Sequence, residues 1–239
     1  EVDADPELKV LVLRGVQNQF CSGFDLDELL ADFVGTTNAM DVGVLSAQVC
    51  DRLYSMNTPS VAVLEGYVTA GGFELMISCD FAIAAESARF GFVFTQRGIA
   101  PEGASTWFLP RLVGVAQAAE WLYTGRVFGA EEALRGGLVR SVHPDDQLLD
   151  VARELAAEIA AAAPLSVALT RQMLWRMLGA EHPMIAHRAD SRAVHATGKL
   201  PDAMEGVMSF LEKRPASFTG KVSTELPDIF PEWDPPEYR

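Results

Sequence analysis

Residues 66–80, GYVTAGGFELMISCD, decide the fold of this chain. A predicted strand at 61–64 precedes the two glycines at 71–72, and an apolar segment of helical length follows them, which predicts a strand, a glycine turn and a helix in succession. Residues 20–26, FCSGFDL, place a second glycine turn after another predicted strand. Each turn presents a backbone N–H, and two N–H groups that converge on one point stabilise negative charge developing on a carbonyl oxygen. Because Glu74 follows the second turn at once, the pattern favours acid–base chemistry at the carbon next to a carbonyl.

Length, composition and charge bound the class of protein. The chain has 239 residues, of which 49% are hydrophobic and 22% charged, as is ordinary for a globular domain with a proper core. The net charge of -14 argues against nucleic acid or an anionic membrane as a partner, because phosphate binding needs a basic surface. A small ligand that carries phosphate and is held by a few local cations remains compatible with this charge.

The cysteine content and the apolar runs of the sequence indicate the kind of cellular compartment that suits the chain. The three cysteines, Cys21, Cys50 and Cys79, are too few for a disulfide framework, so we expect a reducing, cytoplasmic environment. No apolar run approaches the roughly 20 residues of a membrane span, and no signal peptide is visible. The sequence contains no HExxH or CxxC pairing, so it predicts no metal site.

Hydrophobic patterning predicts strands that alternate with helices up to about residue 142, followed by helices alone. Short apolar runs predict strands at 10–13, 61–64, 81–85, 88–92 and 139–142. Helical spacing predicts helices at 25–32, 44–56, 73–78, 113–123, 130–135, 146–163, 165–178, 183–197 and 201–211. Residues 214–239 hold five prolines and predict an extended tail.

Several motifs in this order resemble the crotonase superfamily, also called the enoyl-CoA hydratase/isomerase family. The resemblance covers most of the chain, and several motifs in the right order are far more specific than any one of them. The segments are DPELKVLVLRG (5–15), FCSGFDL (20–26), EGYVTAGGFELMISCDFAIAAESARFGF (65–92), GIAPEGASTWFLPRLVG (98–114), GRVFGAEEALRGGLVRSV (125–142) and GVMSFLEKR (206–214).

The resemblance implies an α/β fold, a crotonase-like spiral of ββα turns with a C-terminal helical trimerisation region. It implies a spiral core with the active site at 1–143, the trimerisation region at 144–213 and the extended tail at 214–239. Family members usually have a further strand, hairpin and helix before the point where this chain begins, so we expect the N-terminal turn of the spiral to be missing. The implied substrate is an acyl-CoA thioester, with no cofactor because coenzyme A is part of the substrate. The implied assembly is a homotrimer or a dimer of trimers.

Two backbone positions carry the oxyanion hole that the resemblance implies. Phe24, after Gly23, occupies the first position, where only the backbone N–H matters and a bulky side chain is tolerable. Gly71 occupies the second position, three residues before Glu74. The plain alternative for a lone glycine is a tight turn without function. Two such turns in the family's order favour the functional interpretation.

The resemblance also implies contacts with coenzyme A. Ser22, Phe24 and Leu26 line up with the loop whose carbonyls face the adenine. A lysine often follows in this loop, whereas this chain has Asp27, which removes one expected contact with the nucleotide. Lys213 matches a C-terminal cation that meets the phosphate of CoA. On sequence alone, a solvated helix charge is an equal alternative for Lys213.

Two carboxylates are the candidate acid–base groups. Glu74 aligns with the first of two hydratase glutamates; its plain alternative is a partner of the helix dipole. The second hydratase glutamate would fall at Phe94, and we assign Phe94 and Trp107 to the acyl pocket. Glu102 matches the catalytic glutamate of Δ3,Δ2-enoyl-CoA isomerases of the same family. Its plain alternative is an N-cap for a helix that begins near Ala104.

Three functions follow from these assignments. The leading one is hydration of a 2-enoyl-CoA by Glu74, with Glu102 in place of the missing second carboxylate. The second is Δ3,Δ2 isomerisation, in which Glu102 is the single base that takes a proton from C2 and returns it at C4. The third is a CoA-binding homologue without catalysis, which the departures at Asp27 and Phe94 favour.

Overall fold

The computed structural model describes residues 2–36 and 44–234. Their contacts divide them into two compact units. The first unit consists of residues 2–11, 55–59 and 154–234, and the second of residues 12–36, 44–54 and 60–153. The domain boundaries at 143 and 213 that the sequence predicts stay predictions.

Seven strands form two sheets among the described residues. They are β1 (Leu11–Arg14), β2 (Ser60–Leu64), β3 (Tyr67–Thr69), β4 (Phe81–Ala85), β5 (Arg89–Gly91), β6 (Phe128–Gly129) and β7 (Ser141–His143). One sheet has the order β1-β2-β4-β7, and β4 runs parallel to both β2 and β7. The other has the order β3-β5-β6, with β5 parallel to β3 and antiparallel to β6. Every residue of β2 is buried, as expected for a parallel strand covered on both faces.

Eleven α-helices lie among the described residues. They are α1 (Leu26–Gly35), α2 (Val44–Ser55), α3 (Gly71–Ile77), α4 (Ser105–Val113), α5 (Val115–Thr124), α6 (Ala130–Arg135), α7 (Leu148–Ala160), α8 (Pro164–Met177), α9 (Pro183–Thr197), α10 (Pro201–Glu212) and α11 (Val222–Glu225). A side-chain oxygen of Asp25 accepts the backbone N–H of Asp27 at 2.9 Å, which caps α1. A proline begins α8, α9 and α10, because the first helical turn needs no N–H donor there.

The sequence predicts most of these elements to within a few residues, and the differences have a physical reason. β3 and β6 are three and two residues long, and such short strands do not show the alternation of polar and apolar residues that predicts a strand. The helix that the sequence places at 113–123 is α5, and α4 ends directly before it at Gly114. The tail predicted to be extended contains the single-turn helix α11.

An aromatic cluster forms the core of the second unit. Phe73 of α3 meets Phe92 with ring centroids 4.4 Å apart. Phe128 of β6 stacks on Phe90 of β5 and, at 4.4 Å, on Trp121 of α5. These five side chains are almost fully buried. Because Phe73 directly precedes Glu74, this packing fixes the start of α3.

The first unit is helical and has its own core. Leu169 of α8, Ala193 of α9 and Ile229 are buried against one another. The carboxylate of Asp202, on the first turn of α10, accepts the backbone N–H groups of Thr219 at 2.9 Å and Gly220 at 3.1 Å. Throughout the described ranges, no helix is both long and apolar enough to cross a membrane.

Candidate active site

The first glycine turn is attached to β3 by backbone hydrogen bonds. The N–H of Cys21 donates to the carbonyl of Tyr67 at 3.2 Å, and the N–H of Thr69 donates to the carbonyl of Cys21 at 3.1 Å. The Thr69 hydroxyl donates to the carbonyl of Ser22 at 3.1 Å. Residues 20–22 therefore run beside β3. The two glycine turns begin at the same end of these two paired segments.

The two glycine turns touch, and their contact depends on missing side chains. A Cβ on Gly72 would lie 2.1 Å from the carbonyl oxygen of Cys21. Gly23 has φ +105°, and its Cβ would lie 2.8 Å from the Cβ of Ala70 and 3.4 Å from the backbone nitrogen of Gly71. Only glycine fits at Gly23 and Gly72 without a shift of the backbone.

Ala70 is held in an unusual backbone conformation between β3 and α3. Its φ of 48° and ψ of -122° are rare for a residue with a side chain. Its N–H donates to the carbonyl of Gly91 at 3.2 Å, and its carbonyl accepts the N–H groups of Phe73 and Glu74 at 2.9 and 3.2 Å. These bonds fix the direction in which the chain enters α3 at Gly71.

The two predicted oxyanion positions, Phe24 and Gly71, are neighbours in the structure. A Cβ on Gly71 would lie 3.5 Å from Cε2 of Phe24 and 3.7 Å from the Cα of Gly23. Among the described residues, neither backbone N–H of this pair donates to a protein acceptor. Two turns in contact, with both N–H groups available, are compatible with a site for a developing oxyanion.

Glu74 lies in the first turn of α3 with its side chain completely buried. Neither of its carboxyl oxygens has a hydrogen-bond partner of ordinary geometry among the described residues. Gly103 packs directly on this group, since a Cβ there would lie 2.7 Å from Cδ and 2.8 Å from Oε2 of Glu74. The chain just before α4 therefore covers the carboxyl group of Glu74.

Glu102 is the neighbour that sets the protonation of Glu74. The pKa of Glu74 is raised to about 8, first by burial and then by the negative charge and a loose hydrogen-bonding contact of the Glu102 carboxyl. The backbone N–H of Glu102 lowers this pKa in part. The structure thus brings the two predicted carboxylates together. The N-cap of α4 is Ala104, so the N-cap alternative for Glu102 is wrong.

Helix α2 supplies a residue that the sequence does not single out. Cys50 is 1% exposed, and burial raises the pKa of its thiol to about 11, while a hydrogen bond with Ser78 lowers it in part. The charges of Glu74 and Glu102 also raise this pKa, which places Cys50 beside the carboxylate pair. Only its helical position in 44–56 marks it in the sequence, and that signal is shared by any core residue.

Tyr54 extends this wall of the site. It follows Cys50 by one turn on the same face of α2. Its ring meets those of Trp107 and Phe108 edge to face, with centroids 5.8 and 6.0 Å apart. The guanidinium of Arg111 lies 4.1 Å from the centre of the Trp107 ring on the opposite helix, α4. Trp107 therefore packs among aromatic neighbours near the turn that carries Glu102.

The residues predicted to line the acyl pocket or to bind coenzyme A lie in different parts of the structure. Phe94 is 7% exposed and packs on Phe92 at 5.6 Å, so it joins the aromatic core. Ser22 is exposed in the loop before α1, and Leu26 is exposed as the first residue of α1. Lys213 is exposed at the end of α10, in the other unit, with a left-handed φ of 55°. The acyl-pocket and CoA assignments of these residues stay predictions. Nowhere in the described ranges do three or more His, Cys, Asp or Glu side chains form a group that could hold a metal ion.

The comparison with known proteins agrees with this geometry. The sequence profile of the family described as enoyl-CoA hydratase/isomerase matches residues 1–221, and the chain belongs to that family. It is 34% identical over 220 residues to an enoyl-CoA hydratase of Alternaria alternata, covering 91% of this chain and 73% of the relative. It is 34% identical over 225 residues to a carnitinyl-CoA dehydratase of Proteus mirabilis (strain HI4320), covering 91% and 84%.

A solved structure confirms the fold prediction. The crystal structure of an enoyl-CoA hydratase from Bacillus anthracis is similar with a TM-score of 0.83 and 31% sequence identity, covering 92% of this chain and 84% of that one. The mixed α/β fold with its parallel sheet and many helices is therefore that of the crotonase superfamily.

Proposed function

We propose that this protein adds water reversibly across the double bond of a 2-enoyl-CoA thioester. One observation carries the proposal: a completely buried Glu74, with a pKa of about 8, lies beside Glu102 and close to two turns with available N–H groups. The raised pKa of Glu74 keeps a proton on its carboxyl at neutral pH, and Glu102 is the second carboxyl group of the pair. Such a pair contains one acid and one base, which is what the addition of water requires.

The substrate is bound by backbone groups of the two turns. The thioester oxygen accepts the N–H groups of Phe24 and Gly71, so the negative charge of an enolate is stabilised there. The loop at Ser22 and Leu26 contacts the adenine of coenzyme A, and Lys213 of a neighbouring subunit contacts its phosphate. The acyl chain extends toward Phe94 and Trp107. No cofactor takes part, because coenzyme A belongs to the substrate.

The reaction follows from the protonation states. Glu102 takes a proton from a water molecule, whose oxygen then bonds to C3 of the substrate. The electron pair of the C2–C3 double bond moves toward C1, and the thioester oxygen becomes the enolate oxygen at Phe24 and Gly71. C2 then takes the proton of Glu74, and the net change is the addition of one water. The names of the two relatives, a hydratase and a dehydratase, support this reaction class for the chain.

One observation favours a second candidate, Δ3,Δ2 isomerisation. Glu74 is completely buried, whereas Glu102 is only half-buried and is therefore the carboxylate with easier access to substrate. As a single base, Glu102 would take a proton from C2 and return it at C4, with the dienolate held at the same two N–H groups. Glu74 would then orient substrate or stabilise the site.

A two-substrate assay separates these functions. Crotonyl-CoA reports hydration through loss of the conjugated-thioester absorbance, and 3-hexenoyl-CoA reports isomerisation through its gain. We expect turnover of crotonyl-CoA. Turnover of 3-hexenoyl-CoA alone makes Glu102 the single base and contradicts the hydratase proposal. Tight binding of CoA without turnover of either thioester identifies a CoA-binding homologue without catalysis.

We further propose a homotrimer or a dimer of trimers in a reducing, cytoplasmic setting. Apolar side chains of α10 are exposed, with Val207 at 58% and Phe210, one turn further on, at 82%, and exposed apolar side chains that neighbour one another on a helix favour association. The three cysteines are free thiols, which supports a reducing compartment. Sedimentation equilibrium tests the assembly, and a monomer at micromolar concentration contradicts it.

A further inference from the structure

Three buried side-chain oxygens lack a hydrogen-bond partner of ordinary geometry among the described residues. Two belong to Glu74, and the third is the hydroxyl of Ser105. Both residues are completely inaccessible to solvent in this structure. A buried polar atom without a partner is unfavourable, so these atoms indicate a place where the protein binds another polar group.

Ser105 differs from four other hydroxyls in or next to the described helices. Ser78, Thr124, Ser191 and Thr197 each donate to the carbonyl four residues earlier, at 2.7–2.9 Å. Ser105 is the first residue of α4, and its hydroxyl makes no such bond. The helix therefore leaves this hydroxyl available, which is the opposite of the usual use of serine within helices.

The position of Ser105 links its hydroxyl to the carboxylate pair. Its N–H donates to the carbonyl of Glu102 at 3.0 Å, which closes a tight turn over residues 102–105. Gly103, inside this turn, lies against the carboxyl group of Glu74. Glu74 on α3 and Ser105 at the start of α4, which carry the three unpartnered oxygens, are thus linked by the contact of the 102–105 turn with α3. A single small polar molecule at this contact can serve all of them.

We propose that Ser105 is a positioning residue whose hydroxyl holds the water that is added to the substrate. The inference rests on the proposed hydration and extends it by a third polar group. Buried water in proteins makes about three hydrogen bonds, and Ser105, Glu74 and Glu102 supply three partners. With a third partner the water keeps one orientation toward C3, whereas two flexible carboxyl groups leave it free to turn.

Two reactions separate water positioning from general damage to the site. Hydration of crotonyl-CoA consumes a water, whereas exchange of the C2 protons of butyryl-CoA in D₂O needs only a base and the oxyanion turns. In Ser105→Ala we expect kcat for hydration to fall about tenfold, the effect of one ordinary hydrogen bond. KM and the C2 exchange rate should stay within about twofold of the wild-type protein, and Ser105→Thr, which keeps a hydroxyl, should recover most of the hydration rate.

Thr106→Ala is the matched control, because Thr106 is the adjacent residue with an exposed side chain. We expect it to leave both reactions unchanged. Unchanged hydration in Ser105→Ala, or equal loss of hydration and exchange, contradicts the inference. Crystals of the wild-type and Ser105→Ala proteins give a test without turnover. An ordered water within hydrogen-bond distance of Ser105 Oγ and a Glu74 oxygen should be present in the first and lost in the second.

The two proposals fail in different ways. A wild-type protein that does not hydrate crotonyl-CoA contradicts the proposed function. Wild-type crystals without an ordered water at Ser105 and Glu74 contradict the inference about Ser105, whatever the activity.

Discussion

Gly103 lies directly against the carboxyl group of Glu74, so close that a Cβ atom would stand 2.7 Å from Cδ. The backbone of Gly103 has φ +59°, a conformation that residues with side chains rarely adopt. This contact lets the chain cover the buried carboxyl group, and it sets Glu102 beside Glu74. The pairing of the two carboxylates therefore depends on the absence of a side chain between them.

Replacement of Gly103 should disrupt the carboxylate pair. In Gly103→Ala the new methyl group displaces the Glu74 carboxyl, and we expect hydration of crotonyl-CoA to fall about 100-fold, as for a misplacement of about 1 Å. Gly98→Ala is the control, since Gly98 also has a positive φ, +71°, but its Cβ meets nothing within 4 Å. Steady-state kinetics should show nearly normal activity for Gly98→Ala. Equal losses in the two variants would mean that backbone strain, not contact with Glu74, is responsible.

The two glycines of the second turn should tolerate alanine very differently. In Gly72→Ala the methyl group would meet the Cys21 carbonyl at 2.1 Å, so we expect a loss of about 1–3 kcal/mol of stability. For a chain of this size that loss lowers Tm by about 2–4 °C per kcal/mol. Gly71→Ala places its methyl group at ordinary contact distances of 3.5–3.8 Å and should unfold near the wild-type temperature. Thermal unfolding by circular dichroism compares the two, and similar Tm values would contradict the described packing.

Hydration should decline at alkaline pH because it requires the proton of Glu74. The pKa of Glu74 is raised to about 8, so the acid is present below that pH and lost above it. We expect kcat/KM for crotonyl-CoA to fall toward tenfold per pH unit above about 8, since this parameter reports the free enzyme. A pH profile between 6 and 10, with CoA release from the thioester as a control, measures it. A flat profile across this range would show that Glu74 is not the proton donor.

The same pKa shift predicts how stability depends on pH. The carboxyl of Glu74 ionises near 4.5 when unfolded but only near 8 when folded, so its contribution to stability is complete below 4.5 and is lost as the pH rises to 8. Glu74→Gln cannot ionise, so the Tm of the variant relative to wild type should increase by several degrees between pH 5 and pH 8. Glu86→Gln, at an exposed side chain, is the control and should show no such increase. A constant difference for Glu74→Gln would mean that folding does not raise the pKa of the Glu74 carboxyl.

Much of the fold and part of the site follow from the sequence for local reasons. The glycine pair at 71–72 and the acidic residue after it predict a turn and Glu74 at the start of a helix, as the structure has them. The contact between the turns at Gly23 and Gly71 follows from the order of motifs in the resemblance. Strand β3, three residues long, carries too few positions for its pattern to stand out.

The rest of the site arises from tertiary contacts that no local pattern encodes. The packing of Gly103 on Glu74 joins α3 to the start of α4, and Cys50 comes from a distant helix. Glu102 looks like a helix N-cap in sequence, yet the left-handed Ala104 takes that position and Glu102 faces Glu74 instead. The sequence does not predict that the Ser105 hydroxyl lacks a hydrogen-bond partner, because this property depends on the exact residue at which α4 begins.

In the proposed hydration, Glu102 replaces the missing second carboxylate at Phe94 and works together with Glu74. The most direct test is kcat for crotonyl-CoA hydration in Glu102→Gln, measured beside Glu74→Gln and the wild-type protein. We predict that either substitution lowers kcat by about 10²–10⁴, the usual effect of losing an essential acid or base. Hydration that is lost in Glu74→Gln but unchanged in Glu102→Gln would contradict the claim.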